Sequence, residues 1–321
     1  MARCVPRALL AGLCLCLLTS ASPAATPPAN AEADRERPRI GLVLGGGGAR
    51  GGAHVGVLKV LDELRVPVDC VAGTSMGALV GGGYALARTY EFASASARRF
   101  GDPSTIVDRT LPVVSIARSR GVTRLLREMF GEVRIEDLTT PFFCVSANLS
   151  RARPYLHERG ELWRAIRASS AIPGVFTPIL EGGDLLVDGG VMNNFPVDLA
   201  RARFGDGPLI ASNAYGRERE RGEYAFDDEV SGWRVLAERL RPRSWRRIKA
   251  PTILTTLTQA TSLNSHYLME SIGRGADLLV RYPTDGVRSL EFERVEELLQ
   301  MGWTHGRAAL ADWRPEAVEQ A

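Results

Sequence analysis

The chain has 321 residues, 45% apolar and 24% charged, an ordinary globular composition with room for one large α/β domain or two small ones. Lys and Arg number 40 against 37 Asp and Glu, a formal net charge of +3, so charge balance gives no ground for a nucleic-acid partner. The lysines are Lys59 and Lys249 alone, and an arginine excess of this kind is read as compositional bias rather than function.

The N-terminus carries Arg3 and Arg7, an apolar run from Ala8 to Leu18, then small residues. This pattern predicts a secretory signal peptide over 1–25, cleaved after Ala21, Ala24 or Ala25, and an exported protein, periplasmic or secreted. The apolar run is about half of the ~20 residues that span a bilayer. Leu13 and Leu15 precede Cys14 and Cys16, where a lipoprotein signal needs a small residue. Cleavage would leave Cys70 and Cys144, each inside an apolar segment, and they read as buried thiols rather than a disulfide. Residues 26–38, rich in Ala, Pro and charge, read as a flexible linker, residues 39–311 as one domain and residues 312–321 as a tail.

Within the domain, 39–44 is the first strand, and 49–65 a helix with Val57, Leu58, Leu61 and Leu64 at helical spacing. Residues 66–73 are a second short strand and 76–88 a second helix. Residues 102–135 are mixed and Arg-rich, with an apolar cluster at Leu125, Leu126, Met129 and Phe130. Strands follow at 141–149, 184–190, 207–214 and 276–283, and "RPYLHERG" looks like half of a hairpin. Helices are expected at 161–171, 195–203, 252–274 and 291–311. Residues 218–229 are mostly acidic, and 234–249 hold seven basic residues against one acidic. Alternating strands and helices predict an α/β fold with three layers, α/β/α, around a mostly parallel central sheet.

Two glycine-rich turns carry the chemistry. Gly73-Thr74-Ser75-Met76-Gly77 lies between a predicted strand and a predicted helix, the setting in which G-x-S-x-G is a nucleophile elbow. Such a turn strains the serine backbone and leaves room only for glycine two residues away on either side. Ser75 would then project at the start of a helix, where the dipole favours negative charge.

The run Gly45–Gly48, with Arg50 and Gly51, fits two readings. Gly46, Gly48 and Gly51 match the G-x-G-x-x-G of dinucleotide binding, with Asp69 near the expected acidic position. Asp69, however, runs straight into the serine elbow, and Gly52-Ala53 stands where a phosphate loop needs Lys-Ser or Lys-Thr. The better reading makes Gly46, Gly47 and Gly48 an oxyanion hole whose bare amides face a developing alkoxide, assisted by the helix that follows. Arg50 orients this loop, attracts an anionic substrate, or is simply a solvated arginine.

A serine needs a base. The histidines are His54, His157, His266 and His305; none lies in an evident triad context, and each reads as structural or surface. Asp188, in "LLVDGG", falls at the carboxyl end of a predicted buried strand, the edge where α/β sheets hold their sites, and Gly189-Gly190 permits an abrupt turn. No Cys/His spacing resembles a metal site.

Taken in order, Gly46-Gly47-Gly48-Ala49-Arg50-Gly51, Gly73-Thr74-Ser75-Met76-Gly77 and Asp188-Gly189-Gly190 resemble the patatin-like phospholipases. The runs "ASSAIPGVF" (168–176) and "DGGVMNNFPVDLAR" (188–201) are similar to the bacterial and neuropathy-target-esterase-like members. The resemblance covers about residues 39–310 and is weak at 102–135 and 216–250. It implies a patatin-like α/β/α fold and a Ser–Asp dyad without histidine. Ser75 is then nucleophile, Asp188 general base and Gly46–Gly48 the oxyanion hole, for hydrolysis of lipid acyl esters with no cofactor and no metal. A lipid substrate asks for an apolar entrance and peripheral membrane contact, for which the Leu125–Phe130 cluster and the basic stretch 234–249 beside Trp233 and Trp245 are the candidates. The competing readings are a Ser–His–Asp esterase for small soluble esters and a non-hydrolytic cofactor-binding protein.

Overall fold

The computed structural model describes residues 37–100, 115, 119–215, 224–242, 245 and 247–313. The signal peptide, almost all of the linker and most of the tail read from the sequence lie outside them, as do parts of 102–135 and 216–250. Apart from Arg37, the described residues belong to a unit that begins at Pro38.

In chain order the elements are β1 (Gly41–Leu44), α1 (Ala53–Glu63), β2 (Cys70–Thr74), α2 (Met76–Ala87), α3 (Tyr90–Phe100), α4 (Arg120–Phe130), β3 (Phe142–Asn148), β4 (Arg153–His157) and α5 (Leu162–Ser169). Then come β5 (Ile179–Glu181), β6 (Asp184–Asp188), α6 (Val197–Phe204), β7 (Leu209–Asn213), α7 (Gly232–Arg239), α8 (Ile253–Gly273), β8 (Leu278–Arg281) and α9 (Val295–Leu310). They form one sheet in the order β5-β6-β3-β2-β1-β7-β8, with β4 also paired to β3. β3, β2, β1, β7 and β8 are mutually parallel, whereas β4 and β6 run antiparallel to β3.

The parallel strands are buried on both faces, and their side chains alternate between two cores. Leu42, Leu44, Val71, Cys144 and Ile210 join one core with α1, α2 and α9. Val43, Ala72, Phe143, Val145 and Ala211 join the other, with Phe195, Val197 and Met269. Helices therefore cover both faces of a mostly parallel sheet, the three-layer α/β/α arrangement expected. Cys70 and Cys144 are buried free thiols.

Four differences from the sequence reading have physical causes. The helix expected from residue 49 begins as a 3-10 turn, Gly48–Gly52, and becomes α-helical at Ala53. Tyr90–Phe100 and Arg120–Phe130 are both helices; in the second, Val122, Leu125, Leu126 and Phe130 make an apolar stripe that frequent arginines disguise. That stripe is core, so the Leu125–Phe130 cluster is no lipid entrance. Asp69 has a structural role: its carboxylate accepts the Ile40 N–H at 2.7 Å, fixing the start of β1.

Strand direction at Asp188 is the fourth difference. β6 is antiparallel to β3, so its carboxyl end is not the strand-end edge of the parallel sheet in the sense expected. It arrives by another route. β4 takes one edge of β3 along Cys144–Asn148. On the other edge β2 pairs only as far as Thr74 with Val145, and β6 continues from Asp188 with Ser146 to Leu186 with Asn148. β2 and β6 thus meet nose to nose on one edge of β3, with Ser75 leaving the first strand and Asp188 ending the second.

Candidate active site

Ser75 sits between β2 and α2 with φ 54° and ψ −120°, a left-handed backbone that a non-glycine residue adopts only when its surroundings force it. The crowding is measurable. A Cβ added to Gly73 would lie 2.5 Å from the Gly77 carbonyl oxygen, and one on Gly77 would lie 2.1 Å from that of Leu44. Both glycines are therefore obligatory for the turn. The strain is held by packing: the Ser75 N–H donates to Ser169 Oγ at 2.9 Å, and Ser169 Oγ donates to the Val145 carbonyl at 2.6 Å. The last residue of α5 is thereby clamped to both the elbow and β3.

Ser75 Oγ donates to Asp188 Oδ2 at 2.7 Å. The other carboxylate oxygen accepts the Gly190 N–H at 2.7 Å, which caps the 3-10 turn Gly189–Val191. Gly189 lies so close to β3 that a Cβ there would be 2.2 Å from the Val145 oxygen. Ser75 and Asp188 are only 7% and 6% exposed. Burial pushes the Asp188 carboxyl from 3.8 up to about 6, against the opposing effect of the hydrogen bonds from Ser75 and Gly190.

The glycine turn lies alongside, since a Cβ built on Gly46 would be 3.2 Å from Ser75 Cβ. Its amides are not equivalent. Gly45 N–H donates to Ser212 O and Gly46 N–H to Asn194 O, at 3.0 and 2.9 Å. Gly46 therefore has no free amide for an oxyanion, contrary to the three-donor expectation. Its place is to let the chain pass the serine. Gly47 and Gly48 donate no backbone hydrogen bond among the described residues. Gly48 has φ 56°, and a Cβ on it would be 2.2 Å from the Ser289 oxygen. Gly51 packs against Met76, whose Cγ would be 2.4 Å from a Cβ there. Arg50 serves the loop: its Nε donates to the Val287 carbonyl, and its guanidinium lies 5.4 Å from the centre of the Tyr215 ring.

Sequence reading passed over several residues that hold this turn. Asn194 Nδ2 reaches the Gly46 carbonyl at 3.3 Å, while Asn193 O accepts from Thr74 Oγ1 at 3.0 Å. The visible signal was a pair of asparagines in an otherwise apolar run just after Gly189-Gly190. His54, wholly buried, places Nε2 2.8 Å from the Gly45 carbonyl and Nδ1 2.6 Å from Ser212 Oγ. A carbonyl only accepts, so Nε2 carries the proton. Nδ1 then accepts from Ser212, whose oxygen is 2.5 Å from the Tyr282 hydroxyl. Burial lowers the His54 pKa to about 4, so the ring is neutral and tied to the loop rather than to the serine. His157 is likewise buried, with Nε2 2.8 Å from Ser146 Oγ.

A family model described as "Patatin-like phospholipase" matches residues 42–201. The human patatin-like phospholipase domain-containing protein 6 is 34% identical over 291 residues, which is 88% of this chain and 21% of the relative. The chain belongs to the patatin-like phospholipase family. Lysophospholipase NTE1 of Candida albicans is 35% identical over 283 residues, 86% of this chain and 20% of that protein. The chain thus spans about a fifth of the length of these relatives. Among solved structures, VipD of Legionella pneumophila matches 86% of this chain and 67% of its own at 13% identity and a TM-score of 0.44. In this family member the Ser75–Asp188 contact joins the second and third of the motifs that suggested the resemblance, and the glycine turn of the first lies beside it.

The position of His54 gives an expected result. His54→Ala strands the buried Gly45 carbonyl and Ser212 hydroxyl, a destabilisation of about 2–4 kcal/mol. Ester turnover should fall but remain measurable at temperatures where the variant is folded. Thermal melting with parallel kinetics checks this, and complete loss of turnover in a folded His54→Ala protein would give the histidine a direct chemical role.

Proposed function

We propose that the protein is a serine acyl hydrolase that cleaves lipid carboxylic esters, phospholipid or lysophospholipid, through Ser75 and Asp188. One observation carries the reading: a strained, buried serine whose hydroxyl donates at 2.7 Å to a carboxylate that burial has made more basic. Relatives named as lysophospholipases support the substrate class.

In the proposed reaction Asp188 takes the Ser75 proton as Oγ bonds to the ester carbonyl carbon. The carbonyl oxygen becomes an alkoxide facing the Gly47 and Gly48 amides and the N-terminus of α2. The bond to the alcohol oxygen then breaks, Asp188 returns its proton to that oxygen, and the acyl group stays on Ser75. Water attacks the acyl-serine, Asp188 accepts its proton and passes it to Ser75 Oγ, and the fatty acid leaves. A pair of amide donors contributes about 3–4 kcal/mol each, a large share of what a weak carboxylate base leaves undone.

The Ser–His–Asp alternative has less support, because His54 and His157 are both buried and bonded elsewhere. The test is mass spectrometry of products from a mixed bacterial phospholipid extract, with nitrophenyl esters of rising chain length in parallel. Fatty acid and the matching deacylated lipid should accumulate, and long acyl chains should be preferred. Turnover confined to short soluble esters would replace this substrate class. Export belongs to the same proposal, and the intact mass of exported protein would read cleavage after Ala21, Ala24 or Ala25.

A further inference from the structure

Ten of the fifteen exposed large hydrophobic side chains among the described residues fall between 224 and 267. A concentration of this kind marks an interaction surface, whereas scattered exposed apolar residues do not. On α7 and its C-cap residue, Trp233, Leu236 and Leu240 follow at i, i+3 and i+7, one helix face, with Trp233 81% exposed. On α8, Ile253, Leu257, Leu263 and Tyr267 fall within about 120° of arc. Ile253 and Tyr267 are 89% and 83% exposed. From Ile253 to Met269 the sequence holds no Asp, Glu, Lys or Arg.

The two helices belong to one connected patch. Glu238 on α7 accepts the Arg247 N–H at 3.0 Å, and Lys249 pairs with Ala225 in a β-bridge. Tyr224 OH meets Gln259 on α8 at 3.5 Å. Between the helices, over 240–252, the sequence carries five basic residues and no acidic one, together with Trp245, 71% exposed. The far end of α8 reaches the active site: Met269 is buried against Asn213, Gly273 lies against Phe195, and the helix packs on the Gly189–Val191 turn that follows Asp188.

The geometry points to a membrane-docking surface formed by α7, α8 and the basic segment between them, lying on a bilayer that bears anionic headgroups and feeding its lipid toward Ser75. The inference rests on the hydrolase reading for the identity of what is fed. Charge and chemistry select the lipid surface as occupant. Tryptophan and arginine share the patch, a mixture suited to the headgroup boundary, where rings and aliphatic stems sink and guanidinium groups meet phosphate. The uncharged apolar stripe of α8 suits shallow insertion, and no described helix is long and apolar enough to cross a membrane.

Cosedimentation of the whole protein with phosphatidylcholine vesicles, with and without phosphatidylglycerol, tests this. Binding should be stronger with phosphatidylglycerol and weaken with salt. Ile253→Ser with Tyr267→Ser should lower partitioning about tenfold or more on both vesicles. Arg234→Gln with Arg247→Gln should lower it on the anionic vesicles alone. Both pairs should keep the melting temperature and the turnover of water-soluble nitrophenyl butyrate. The inference is overturned if either the wild-type protein fails to bind vesicles or the serine pair binds like wild type. It is also overturned if the serine pair dissolves a dimer without changing vesicle binding, since a second copy would then cover the stripe. Failure of the hydrolase reading looks different: vesicle binding would persist with no Ser75-dependent turnover.

Discussion

Ser75→Ala lowers ester turnover by roughly ten-thousand-fold or more, with the fold intact. The effect is this large because the hydroxyl has no substitute. Among the described residues it donates to Asp188, and water held at that carboxylate would lack the serine's aim at a bound ester carbonyl. The fold should survive, since the elbow is held by the Ser75 backbone N–H on Ser169 and by Gly73 and Gly77, all present in the variant. Kinetics on a nitrophenyl ester, with circular dichroism as the folding control, give the answer. A folded Ser75→Ala protein with near-normal turnover would remove the proposed nucleophile.

Asp188→Asn removes the base but keeps the shape, and turnover should fall roughly a thousandfold or more. The amide oxygen still accepts the Gly190 N–H, while the amide nitrogen now faces Ser75 as a donor and cannot take its proton. In the wild-type protein kcat/KM should rise with pH through about 6 and level off above, because Asp188 must be ionised to accept the proton. Stability runs the opposite way. The folded carboxyl keeps its proton up to about 6 and the unfolded one only up to 3.8, so between these values the folded state binds more protons. Stability therefore falls as pH rises through that window, by at most about 3 kcal/mol. Asparagine carries no such penalty. Asp188→Asn should melt above wild type at pH 8, and the gap should close toward pH 4. An active Asp188→Asn enzyme, or a variant less stable at pH 8, would argue against a buried, basic carboxylate.

The parts of this site legible in the sequence were those whose chemistry is local. Glycine two residues either side of Ser75 encodes the elbow directly, because the atoms that would clash are fixed by the strand-turn-helix path itself. The glycine run before α1 was legible for the same reason, although which amides remain free was not. That depends on Asn194 arriving from well over a hundred residues away to occupy Gly46. Asp188 was identified through a wrong strand direction. Nothing in "DLLVDGG" states that β6 takes the stretch of β3 that β2 leaves vacant, an arrangement set by sheet pairing alone.

Burial was harder to read than chemistry. Leu125 to Phe130 and the Trp233–Trp245 region both looked like apolar clusters amid arginines, yet the first is core and the second is open to solvent. The difference lies in neighbours: α4 packs on α5 and the sheet's helical layer, whereas most of the described side chains of α7 and α8 face outward. Ser169 and the His54–Ser212–Tyr282 chain carried no local pattern, since their partners are assembled only when three strands and two helices come together.

The most direct test is to treat the protein with a fluorophosphonate ester and locate the adduct by peptide mass spectrometry. The account predicts one phosphonylated residue, Ser75, formed in step with loss of lipid hydrolysis and formed far more slowly in Asp188→Asn. An adduct on any other residue, or full inactivation with residue 75 unmodified, would contradict it.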